Sequence, residues 1–88
     1  MTTTIVADGV VLCPTTWCVL RPQVGEFLVY NSRTDELHLI GPLGHYLYLL
    51  CDGLRTVADI QRLVPGHDVA GFLADLVDRG VLEPVGAP

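Results

Sequence analysis

Three thiols and three imidazoles, on Cys13, Cys18, Cys51, His38, His45 and His67, are the side chains best suited to hold a soft metal or to form a nucleophile–base pair. Their spacing favours neither chemistry. Cys13 and Cys18 enclose four residues, whereas zinc-binding cysteines stand in tighter pairs and four ligands must converge. No histidine forms a recognisable ligand pair with a cysteine, and Cys51, beside an apolar helical stripe, reads as a buried small hydrophobe. Gly41, Gly44 and Gly53 match neither the dinucleotide-loop nor the nucleotide-loop pattern and read as cap and turn glycines. A nucleophile also needs an activating base in a concave site, and short helices in 88 residues offer little concavity. No catalytic residue, metal or cofactor is expected, and the chain reads as a binding module and not an enzyme.

Composition narrows what is bound. Half the residues are hydrophobic and 17% are charged, which is too apolar for a disordered chain and implies apolar surface left over for a partner. Five arginines, no lysine and ten acidic residues give a net charge of −5. The arginines stand singly at 21, 33, 55, 62 and 79, without the basic cluster that a nucleic acid requires. The start, MTTTIVADG, lacks the charged end and apolar core of a secretory signal, and no apolar run approaches a membrane span. Three cysteines without such a signal suit a reduced, cytoplasmic setting, not a disulfide framework. One domain over 1–88 is expected, ordered from about 10 to 84, with a frayed tail over 85–88.

Strand formers over 17–21 and 26–31 flank a turn at 22–25, and 31–35 reads as a hairpin loop leading into a strand over 36–40. On that last strand Leu37 and Leu39 share one face and His38 and Ile40 the other, with His38 expected away from the core. Residues 10–12 could begin another strand that Pro14 ends. Gly41-Pro42 then switches the period from two to 3.6. Leu43, Tyr46, Leu47 and Leu50 form one helical stripe. Thr56 with Asp59 makes a capping box for a second helix whose Val57, Ile60, Leu63 and Val64 face inward. Asp68 caps a third helix with the stripe Val69, Phe72, Leu73, Leu76 and Val77, Gly80 stops it, and 81–84 runs extended. The class is α+β and winged-helix-like: a three-stranded antiparallel sheet followed by three helices.

The strand over 36–40 is followed only by helices, so its outer edge is expected to lie open. An open edge offers unpaired N–H and C=O groups to an extended peptide. Asp75 and Arg79, four apart on the third helix, are placed to pair on its solvent face.

The runs VYNSRTDELHLIGP, LYLLCDGLRTVADI and FLADLVDRGVLEP together resemble the PqqD-like family, small peptide chaperones also called recognition elements for ribosomally made precursor peptides. The resemblance covers about 17–84. It implies that the leader segment of a precursor peptide adds as a strand beside Glu36, Leu37, His38, Leu39 and Ile40 and rests against the third helix. Phe72, Leu73 and Leu76 would line an apolar pocket there, with Val69 on the same helix and Asp75 and Arg79 at the rim. It also implies a second partner, the modifying enzyme or leader peptidase that receives the peptide, and short free-standing members serve lasso peptide assembly. Many relatives carry a side-chain-capping Asn before the first helix, where this chain has Gly41. The stretch CPTTWC is not a family feature. Two other readings remain: a winged-helix DNA-binding regulator, which the three aspartates of DVAGFLADLVDR oppose, and a small auxiliary subunit that stabilises an enzyme.

Overall fold

The computed structural model describes residues 6–85. Along the chain run β1 (Leu12–Pro14), β2 (Cys18–Gln23), β3 (Glu26–Asn31), β4 (Glu36–Ile40), α1 (Pro42–Leu50), α2 (Val57–Leu63), α3 (Val69–Asp78) and β5 (Leu82–Pro84). The main sheet is antiparallel in the order β2-β3-β4, and the three helices follow it, so the α+β class expected from the sequence holds. Winged helix describes the arrangement only loosely. Among the described residues no helix is long and apolar enough to cross a membrane.

A second sheet was not expected. β1 pairs antiparallel with β5, Leu12 opposite Pro84 and Pro14 opposite Leu82. The same N-terminal segment clamps α2: the carbonyls of Asp8 and Val10 accept from Ala58 N (3.0 Å) and Val57 N (2.9 Å), two of the N–H groups a helix start leaves unpaired. The expected capping box is present, with Asp59 N donating to Thr56 Oγ1 and Thr56 N donating to Asp59 Oδ2, both at 3.1 Å. At the other end, Val85 N donates to Val11 O at 2.9 Å, so Val85 is tied down and not frayed as expected. Residues 86–88 lie outside the described residues.

Three further corrections concern faces and bounds. β2 begins at Cys18 and runs through Pro22, which an edge strand tolerates because its missing N–H can face solvent. α1 buries Gly44, Leu47 and, at its C-cap, Cys51, while Leu43 and Tyr46 of the expected stripe are exposed. The reason is steric. Gly44 admits the ring of Phe72 so closely that a Cβ there would stand 2.7 Å from Phe72 Cζ, so α1 approaches α3 on its glycine side. Leu63, expected inward, is exposed, and α2 is held by Val57, Ile60 and Val64. As the sequence implied, Gly41 caps α1 without a side-chain bond and Pro42 follows it.

The end of α3 is a junction. Gly80, at φ +76°, places its N–H on Val77 O (3.0 Å) and the next N–H, of Val81, on Leu76 O (2.9 Å). This double bond pattern closes the helix and needs the left-handed conformation that glycine adopts cheaply. The CPTTWC stretch wraps this junction: Thr15 Oγ1 donates to Gly80 O at 2.7 Å and Cys18 Sγ lies 3.4 Å from the same carbonyl. Buried Asn31, at the end of β3, donates from Nδ2 to Arg79 O (2.8 Å) while its Oδ1 accepts from Arg33 N (2.9 Å). The guanidinium of Arg33 in turn stacks on Trp17, 3.7 Å above the ring.

The three cysteines are free thiols. Cys51 is buried, and burial, with Asp52 and Cys13 nearby, pushes its thiol up to about 12. Iodoacetamide at neutral pH, read by peptide mass spectrometry on the native protein, is expected to label Cys13 and Cys18 well before Cys51. Equal labelling of all three would mean that the core opens on the labelling timescale.

Candidate functional site: the open edge of β4

β4 forms because its residues alternate and because the β3–β4 loop closes tightly. Asp35 N donates to Asn31 O (2.8 Å), and Asp35 takes a left-handed φ of 59° while its carboxylate accepts from Tyr30 Oη at 2.6 Å. Pairing with β3 sets Leu28 opposite Leu39, Val29 opposite His38 and Tyr30 opposite Leu37. Among the described residues no strand lies beside the outer edge of β4. The two edges of the sheet differ: β2 is interrupted by Pro22, whereas ELHLI carries no proline to blunt it.

The faces of β4 are the reverse of the expectation for His38. His38 and Ile40 are each only 7% exposed, whereas Leu37 and Leu39 are 62% and 63% exposed. His38 stands opposite Val29, a fully buried residue, so the period of two carries its ring inward with Ile40. Polarity alone would send it out. The ring is accommodated because Arg79 Nη1 lies 3.0 Å from His38 Nδ1. A guanidinium only donates, so Nδ1 accepts and the neutral ring carries its proton on Nε2. That Nε2 is buried without a hydrogen-bond partner among the described residues.

α3 reaches this edge at its C-terminal end, where Arg79 meets His38. Phe72 and Ile40 both stand against Gly44, and Arg79 reaches His38, so the column Phe72, Asp75, Arg79 runs in the opposite chain sense to β4. Arg79 Nε also donates to Asp75 Oδ2 at 2.8 Å, the pairing expected from their spacing. Both side chains are about half exposed, so the ion pair positions groups more than it stabilises the fold. From the other side, His45 of α1 stacks on Phe27 of β3, ring centroids 3.6 Å apart, and fixes α1 beside the sheet.

Of the residues the sequence nominated, Glu36, Leu37 and Leu39 present surface on β4, and Phe72, Asp75 and Arg79 present it on α3. Val69, Leu73 and Leu76 do not. They are 0–1% exposed and belong to the core, so the expected apolar pocket lined by Leu73 and Leu76 is absent as a surface and Phe72 alone carries the apolar contact. The described residues enclose no pocket, and no group of three or more His, Cys, Asp or Glu among them is placed to hold a metal ion. What the arrangement offers is a strand edge over a narrow helical shelf, apolar at the Phe72 end and charged at the Arg79 end. Sequence reasoning missed Asn31, Thr15 and Gly44, which hold the edge in place. Their partners lie far away in the chain, and only the close Gly80 helix stop was legible. No family model, curated protein or solved structure matches this chain.

Proposed function

We propose that this protein is a non-catalytic peptide-binding module that captures an extended segment by strand addition at β4. The peptide is the leader segment of a ribosomally made precursor, held in a cytoplasmic setting for a modifying enzyme or leader peptidase, with lasso peptide assembly as one such setting. The observation that carries this reading is the unblunted edge of Glu36–Ile40 beside the shelf of Phe72, Asp75 and Arg79. The resemblance of the sequence to PqqD-like proteins supplies the identity of the peptide. Tethering a leader raises the effective concentration of the attached core peptide at an enzyme that also binds the module, so a rate rises without any chemistry here.

The test is fluorescence polarisation of a labelled leader peptide, taken from the precursor encoded beside this gene, titrated with the purified protein. Saturable binding at micromolar concentration or below supports the reading. No binding by a folded protein overturns it and favours an auxiliary subunit that acts on an enzyme directly. Within the same assay, Phe72→Ala is expected to weaken binding by about 1–3 kcal/mol, the range of an apolar anchor. Because Phe72 also packs against Gly44, Phe72→Leu serves as the control for folding. Unchanged affinity in Phe72→Ala would remove α3 from the site.

A further inference from the structure

The sheet has two faces and the core uses one. On the other, strand pairing sets out two rows across the sheet: Val19, Tyr30 and Leu37, then Arg21, Leu28 and Leu39. A solvent-facing sheet surface ordinarily alternates to polar residues. Here five of the six positions are apolar or aromatic, and Leu37 and Leu39, next to the open edge, are among the most exposed apolar residues of the protein. The one charged residue of the two rows, Arg21, stands at the β2 end, farthest from β4.

The size of this face limits what can cover it. Three strands about 5 Å apart and two rows deep give a footprint of about 200 Å², and the side chains on it present about twice that as accessible surface, roughly half of the 800 Å² or so that a stable protein–protein interface takes from each partner. By itself the face is too small for a second copy of this chain or for a globular partner. It suits the addition of one more side chain to each row. In a sheet, the residues directly opposite Leu37 and Leu39 on an added strand point to the same face as those leucines, whichever way the strand runs.

We propose, resting on β4 as the peptide dock, that the captured strand is read from both faces of the sheet. Two of its side chains, two residues apart and flanking Leu37 and Leu39, are large and apolar, β-branched or aromatic. They extend the rows ending in Leu37 and Leu39 by one position each. The ligand class is therefore an extended peptide that is apolar at alternate positions on its outward face, in addition to whatever it sets over Phe72 and Arg79. Leu37 and Leu39 are specificity residues through their side chains, beyond the backbone bonds they offer.

The experiment is a selection of displayed, fully randomised nine-residue peptides on the intact protein. The expected result is enrichment of Val, Ile, Leu, Phe, Tyr or Trp at two positions spaced i and i+2. One selected peptide and its variant with serine at both positions are then titrated against wild type and against L37T/L39T. Threonine keeps strand propensity at these exposed sites, and circular dichroism and a melting curve check the fold. The double substitution is expected to weaken the apolar peptide by about twofold to thirtyfold and to leave the serine variant unchanged. Selected peptides that Leu39→Pro leaves bound would sink β4 as the dock. Peptides lost in Leu39→Pro yet indifferent to L37T/L39T, or weakened equally with and without serine, would overturn the outer-face reading alone.

Discussion

Leu39→Pro is expected to remove peptide binding almost entirely, by about 2–3 kcal/mol or roughly a hundredfold. A captured strand gains its affinity from main-chain hydrogen bonds along β4, each with a net worth of about 0.5–1.5 kcal/mol. Proline deletes one donor, and its ring stands where the neighbouring strand must approach, so more than one bond is lost. The protein itself should survive the change. Leu39 is exposed on an edge strand, and the opposite edge strand already carries Pro22. Polarisation binding measured beside circular dichroism separates the two outcomes. A folded variant that still binds leader would move the dock away from Glu36–Ile40.

Gly80→Ala is expected to be the most damaging small substitution for stability, costing about 2–4 kcal/mol. Two effects combine. A left-handed residue with a Cβ costs about 1–2 kcal/mol, and Gly80 sits at φ +76°. The new Cβ would also stand 2.7 Å from Asn31 Nδ2. Asn31 is nearly fully buried, so moving it breaks its bond to Arg79 O and loosens the loop that closes β3 to β4. Gly25 provides the control: its φ is +74°, but open space surrounds it. Gly25→Ala should show the backbone cost alone. Urea unfolding of both variants measures the difference, and equal losses would show that Asn31 yields without cost. A domain of this size has only about 5 kcal/mol or a little more in hand, so Gly80→Ala should leave it partly unfolded at physiological temperature.

The order of elements was legible because local chemistry marks it. Gly41-Pro42 switches the period, Thr56 and Asp59 cap α2, and Gly80 ends α3. The open edge was legible too, since nothing after Ile40 alternates for long enough to cover it. Long-range packing was not. β1 and β5 are three residues each and lie at opposite ends of the chain, so neither has a period to read. The buried face of α1 turned on Gly44, a residue whose value is the space it leaves for Phe72, and a stripe drawn from large side chains cannot register that. His38 was misplaced for a related reason: its burial depends on a single guanidinium from Arg79, 41 positions later. The candidate site divides the same way. Asp75 and Arg79 follow from the period of the helix, whereas the outward turn of Leu37 and Leu39, the other side of the burial of His38, and the depth of Val69, Leu73 and Leu76 depend on how the sheet and the three helices meet.

The pairing of Leu12–Pro14 with Leu82–Pro84 has a consequence for how such a domain can be joined to others. Leu12 lies beside Pro84, so the path from β1 to β5 is nearly a closed ring. A ring can be opened elsewhere. Joining β5 back to the segment before β1, by a linker long enough to leave Asp8 and Val10 on the start of α2, and cutting at the exposed Val24–Gly25 turn would keep β3, β4 and all three helices in unbroken sequence. Insertion into a surface loop of a larger protein carries the same condition, that residues 8–10 keep their place on α2.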